Sequence, residues 1–214
     1  MTRTRTKRPA TGKRLRRTPE AVRSAALQAA RALLLKSGPE AITLPAVAKE
    51  LGMAHGNITH HFGSVGAVHS ALVDQMGQEF AAAVHNAVTQ LRDENADPVD
   101  VVDAVFDAFN DTGAGRLISW LASTNNMDAL EPWFATVTRA VKELSKGVPK
   151  PGEQRQASVR QTSLVLLATA LGNALIGDRL HAAVGLPKGT LNELCAKDLV
   201  RRAYPDKKRA TDAS

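Results

Sequence analysis

Five apolar residues, Val68, Leu72, Met76, Phe80 and Val84, recur at every fourth position along one uninterrupted stretch. Side chains four apart lie on one face of an α-helix, whereas a half-buried strand would alternate from residue to residue. The stretch therefore predicts a helix from Val65 to about Leu91. The same period runs through nearly the whole chain. No strand alternation and no internal repeat interrupts it, so the chain reads as all-α.

The breaks between helices are equally legible. Thr18-Pro19-Glu20 is a strong start: Thr caps, Pro suits the first helical position, and Glu favours the positive end of the dipole. Val22, Ala26, Ala29 and Leu33 form the inner stripe of that helix, and Ser37-Gly38-Pro39 ends it. Thr43 caps a short second helix with Val47, Ala48 and Leu51 facing inward, and Gly52 stops it. A third short helix runs from about Ala54 to Phe62. Gly63-Ser64 then breaks and recaps the chain. Further helices follow the turn at Asn95 to Pro98 (Val99, Val102, Phe106, Phe109) and the break at Thr112 to Gly115 (Leu117, Trp120, Leu121). Another spans Met127 to Lys146. After a proline-rich loop, Gly147 to Gly152, a long helix reaches about Val184, and Thr190 to Tyr204 forms the last.

Charge is unevenly distributed. The net charge is +7 over 214 residues. Arg3, Arg5, Lys7, Arg8, Lys13, Arg14, Arg16 and Arg17 lie within the first 17 residues, with no acid among them. Everything after them is close to neutral. Such an arm is too polar to fold alone and suits contact with a polyanion, although a merely solubilising tail has the same composition. The single cysteine, Cys195, leaves no internal disulfide framework and suits a reducing, cytoplasmic setting. No apolar run reads as long enough to span a bilayer, and no signal-peptide core is seen, so no membrane partner is expected.

The informative segment is 42–64. Two short helices lie about a turn apart. The second keeps only Ile58 and Phe62 as apolar anchors, one helical turn apart. Its other side chains are small or polar: Ala54, His55, Gly56, Asn57, Thr59, His60 and His61. A helix laid in a DNA major groove needs that division, with one edge fixed to the scaffold and short hydrogen-bonding groups facing bases and phosphates. Small residues at its start allow close approach to a phosphate or base edge. An ordinary helical hairpin would not need so polar a second helix. Histidines 55, 60, 61 and 69 also raise a metal site. His60 and His61 point to different sides of a helix, however, and neither Cys nor carboxylate joins them at ligand spacing. No metal and no other cofactor is therefore expected.

Residues 20 to 75 resemble the DNA-binding domain of the TetR family of bacterial regulators. The resemblance rests on Ser37-Gly38, Ile42-Thr43, Val47-Ala48, Leu51-Gly52-Met53 and the run Ile58-x-x-His61-Phe62-x-Ser64 ahead of an apolar helix. It implies a second, helical domain that binds a small ligand and dimerises. It also implies a tyrosine where this chain has Thr59 and a lysine where it has Val65, two residues that commonly touch DNA backbone in relatives. Their absence shifts the expected phosphate contacts toward the arm, namely Arg3, Arg5, Lys7, Arg8, Arg14, Arg16 and Arg17. Thr43 joins the residues of the third helix on the expected DNA-facing side.

In the second domain the segment from Ser163 to Leu180 is apolar on more than one face, which calls for cover on all sides. Leu164, Leu167, Leu171 and Leu175, with Leu191 and Leu194 of the last helix, are the expected homodimer interface. Phe106, Phe109, Trp120 and Trp133, with Asn126 and Asn173, are the candidate ligand pocket; the aromatics, Phe134 among them, would equally serve as plain core. Asp97, Asp100, Asp103, Asp107 and Asp111 read as a solvated face. No nucleophile–base pair, metal-ligand spacing or glycine-rich phosphate loop points to an enzyme.

The expected architecture is thus a basic arm at 1–17, a three-helix helix-turn-helix domain at 18–64, a helical ligand-binding and dimerisation domain at 65–204, and a polar tail at 205–214. The expected function is a cytoplasmic DNA-binding transcriptional regulator, a repressor released from a palindromic double-stranded operator by a small molecule. The competing expectation is an architectural protein that binds DNA with little sequence preference through its arm.

Overall fold

A computed structural model describes residues 18–93, 97–146 and 153–203. The basic arm and the polar tail lie outside them. The described residues contain nine α-helices and two single turns of 3₁₀ helix, and no strand. The helices are α1 (Pro19–Ser37), α2 (Leu44–Glu50), α3 (His55–Phe62), α4 (Val65–Arg92), α5 (Pro98–Asn110), α6 (Ala114–Ser123), α7 (Glu131–Lys146), α8 (Glu153–Val184) and α9 (Thr190–Ala203).

The starts follow from capping chemistry. The first backbone N–H groups of a helix have no partner within it. The hydroxyls of Thr18, Thr43 and Ser64 accept from Ala21, Ala46 and Ala67, each at 3.2 Å, and so begin α1, α2 and α4. Asp97 and Asp100 form a reciprocal capping box at the start of α5, so two members of the acidic stripe serve the helix end itself.

Helix α4 is the spine. Its apolar face (Val68, Leu72, Met76, Phe80, Val84) is buried along its full length, as its four-residue repeat predicts. Helices α1 and α3 pack on it, as do α5, α6 and α7. One apolar cluster accordingly runs from Val22, Ala26 and Leu34 of α1, through Ile58 and Phe62 of α3, to Phe106, Leu117 and Trp133. Phe80, Phe109 and Trp133 stack on one another with ring centroids 5.3–6.0 Å apart.

Helix α8 corrects one sequence expectation. Residues 157–184 form a helical stretch of 28 residues that is, by length and composition only, long and apolar enough to cross a membrane. Thr169, Gly172 and Asn173 interrupt its apolar run, so the stretch holds no unbroken apolar span. The helix is not enclosed within the chain either. Leu166, Ala170, Gly177 and His181 are buried, against neighbours that include α5, α6, α7 and α9. Leu164, Val165, Leu175, Ile176, Leu180 and Val184 are exposed.

Candidate nucleic-acid interface

Helices α2 and α3 are joined by a tight turn in which Gly52 adopts φ +61°, a conformation that side chains rarely take. The N–H of Met53 donates to the carbonyl of Ala48 across this turn, at 2.9 Å. Val47 and Ala48 of α2 and Ile58 and Phe62 of α3 are buried together in the core, which fixes the pair as a unit.

The outer side of α3 is what the sequence led us to expect. Ala54, His55, Gly56, Asn57 and His60 are exposed, and Thr59 and His61 are half-buried. Thr59 donates to the carbonyl of His55 at 3.2 Å, and its hydroxyl lies 3.4 Å from His55 Nε2. The two form one polar ridge, a turn apart. The His60 and His61 rings meet edge-on at 5.7 Å. No group of three metal-ligating side chains occurs among the described residues. Thr43 is exposed at the start of α2. Its hydroxyl accepts from Ala46, which leaves its O–H free to donate outward.

Two details of α3 bear on close approach. Its start, unlike those of α1, α2 and α4, carries no side-chain cap. Its first N–H groups are therefore available to a phosphate or base edge. Gly56, within the first turn, has no neighbour within 4 Å of the place a Cβ would occupy. Glycine costs a helix about 1 kcal/mol relative to alanine, and nothing inside the chain recovers that here.

The folded part of the domain is poor in phosphate-seeking charge. Residues 18–64 hold Arg23, Arg31, Lys36 and Lys49 against Glu20, Glu40 and Glu50. Arg31 is paired with Glu79 at 2.7 Å. Arg23 is engaged as well, through a contact that no local sequence signal announces. Its Nη1 donates to the carbonyl of His61 at 2.6 Å, and its guanidinium carbon lies 4.4 Å from the centre of the Phe62 ring.

The candidate ligand residues fall into separate places. Phe106 is buried in the core, and Phe109 and Trp133 belong to the stacked trio with Phe80. Trp120 is half-buried beside His69. Asn126 is exposed and donates to Thr124. Asn173 lies over Gly177 on its own helix. Phe134 is 45% exposed and belongs to neither pocket nor core. Of the expected dimer residues, Leu164, Leu175 and Leu194 are exposed at 70%, 49% and 53%, while Leu167, Leu171 and Leu191 are half-buried. Asp100, Asp107 and Asp111 face solvent, and Asp103 accepts from Asn192 of α9 at 2.6 Å. Partial desolvation by its neighbours, then the charges of Asp111 and Asp103, raises the Asp107 carboxyl above its ordinary value although the residue is exposed. Burial likewise raises the Cys195 thiol, the opposite of what a reactive thiolate requires.

Comparison with known proteins points the same way. Residues 26–67 match the sequence model of bacterial regulatory proteins of the tetR family. Over 190 residues the chain is 27% identical to the HTH-type transcriptional repressor Rv3405c of Mycobacterium tuberculosis, covering 88% of this chain and 92% of the relative. The HTH-type transcriptional regulator Mb3439c of Mycobacterium bovis matches at the same identity and coverage. The fold is that of the multidrug binding protein EbrR, crystallised with imidazole: TM-score 0.62 at 20% identity, over 84% of this chain and 93% of that one.

Proposed function

We propose that the chain is a DNA-binding transcriptional regulator of the TetR family, a homodimeric repressor released from a palindromic operator by a small molecule. The observation that carries this reading is the division of α3 into a buried edge, Ile58 and Phe62, and an exposed polar face with an uncapped start. Ala54, His55, Gly56, Asn57, Thr59, His60 and His61 face the major groove, and Thr43 meets phosphate at the start of α2. Arg3, Arg5, Lys7, Arg8, Arg14, Arg16 and Arg17 supply the backbone charge that residues 18–64 lack.

Two copies associate through α8 and α9. The exposed leucines 164, 175 and 194 support this, because an apolar helix left open along one side needs a partner. Twofold symmetry then presents two copies of α3 to successive major grooves. The ligand is bound among Phe106, Phe109, Trp120, Trp133, Asn126 and Asn173, by parting the helices that carry them. A ligand that favours a dimer state with mismatched α3 spacing lowers DNA affinity, and DNA lowers ligand affinity equally. The protein works in the cytoplasm.

Footprinting of the intergenic DNA that flanks the gene tests the reading. We expect one protected palindrome. Uniform protection at physiological salt would instead favour an architectural protein relying on its arm.

A further inference from the structure

We propose that Arg23 is a positioning residue for DNA recognition, a clamp on α1 that sets the angle of α3 in the groove. The inference rests on the DNA-binding reading above. Helix α3 is short and is anchored in the core by only Ile58 and Phe62, both on one edge. Two anchors a turn apart fix where a helix lies but resist rolling and tilting weakly. Arg23 supplies the missing constraint at the end of α3. It donates to the carbonyl of His61 at 2.6 Å, and among the described residues this is the one hydrogen bond between α3 and another helix.

Three effects converge on that contact. The last carbonyls of a helix lack partners within it, and His61 is one residue from the end of α3. A cation there also meets the negative end of the helix dipole. The guanidinium carbon sits over the Phe62 ring, 4.4 Å from its centre, so one side chain holds both backbone and anchor. Lysine would retain the charge but not the planar, delocalised guanidinium that Arg23 sets over the ring.

Arg23 is also exposed, so a direct phosphate contact is the competing role. The two roles separate by their salt dependence. A lost phosphate contact lowers the slope of log affinity against log salt by about one, whereas a lost positioning contact leaves it unchanged.

The test compares full-length protein with Arg23→Gln and Arg23→Lys. Hydrogen exchange without DNA reports on α3 directly. We expect faster exchange at 55–62 in Arg23→Gln, unchanged protection in α5–α9, and an intermediate rate in Arg23→Lys. On the footprinted intergenic fragment, Arg23→Gln should bind about tenfold more weakly. Its salt slope should match wild type, and its affinity for shuffled DNA should barely move. Wild-type exchange at 55–62, or a salt slope lower by one, overturns the proposal. If Arg23→Gln does not fold, Arg23→Lys alone decides: exchange at 55–62 as slow as wild type overturns it. A wild-type protein that binds no intergenic fragment overturns the functional reading instead, while the exchange result still judges the clamp.

Discussion

The imidazole of His69 stands edge-on to the indole of Trp120, with ring centroids 5.3 Å apart and planes at 75°. His69 belongs to the second turn of α4 and Trp120 to α6. The backbone of Ile42, next to the Thr43 cap of α2, lies against the same ring. The start of α6 meets α1 as well. Any Cβ added at Gly113 would lie 3.0–3.2 Å from Leu34 and Leu35 side chains. The ring is therefore buried where α4 and α6 meet the turn that leads into α2.

Burial lowers the pKa of His69 from its ordinary value of 6.5, with the Ile42 backbone opposing in part. The ring is thus neutral in the folded protein at neutral pH. Unfolded chain takes up the proton first as pH falls below about 6.5. Stability is complete above that value and falls as pH drops toward the lowered folded pKa. Thermal melts between pH 7.5 and 5.0 should show a steeper loss for wild type than for His69→Phe, which keeps an edge-on ring but no titrating group. Parallel curves would assign the pH dependence to other groups.

Gly115 is a second close contact that α6 depends on. A Cβ there would stand 2.7 Å from Ala174 Cβ of α8 and 3.0 Å from the Phe109 carbonyl oxygen. Neither is a flexible side-chain end, so the helices must part. Gly115→Ala should destabilise by about 1–3 kcal/mol in spite of alanine's better helix propensity. Urea unfolding would reveal a lower midpoint, and a raised midpoint would contradict the packing.

These contacts mark the boundary of what the residues announce in order. Thr18, Thr43 and Ser64 declare their helix starts because capping is local, and Ile58 and Phe62 declare the inner edge of α3 by spacing alone. Arg23 and His61 are 38 positions apart, and no local signal joins them. The aromatic residues illustrate the same limit. Periodicity placed Phe109, Trp120 and Trp133 on helices, but which faces meet is a tertiary matter. It put Trp133 in a stack with Phe80 and Trp120 against a histidine. Helix α8 shows a further limit: an all-round apolar pattern says that cover is needed without itself saying which chain supplies it.

The exposed side of α8 makes the dimer testable. Leu164 and Leu175 face solvent in the single chain. Their replacement by glutamate should change the stability of an isolated subunit by no more than about 0.5 kcal/mol. Buried against a partner, the same charges would be unpaired and costly. Leu164→Glu/Leu175→Glu should sediment as a monomer at micromolar concentration with helicity retained. A wild-type-like dimer would move the interface elsewhere on the chain.

The last prediction concerns the arm, which lies outside the described residues. Thr59 and Val65 offer DNA neither the phenol nor the ammonium that the family resemblance implies at those positions, and Arg23 is already engaged with His61. Backbone grip must then come from elsewhere. The arm's Arg3, Arg5, Lys7, Arg8, Arg14 and Arg16 are the concentrated source, and deleting residues 1–16 removes all six together with Lys13. Each phosphate contact contributes about 0.9 to the salt slope. If half of those charges touch DNA, the truncated protein should lose about three units of slope and roughly a hundredfold or more of affinity at low salt. Discrimination between the footprinted site and shuffled DNA should survive, because the proposed base contacts lie on α3. Titrations of both proteins across a range of salt concentrations would measure this. An unchanged slope would leave the arm a passive tail and return the phosphate contacts to the folded domain.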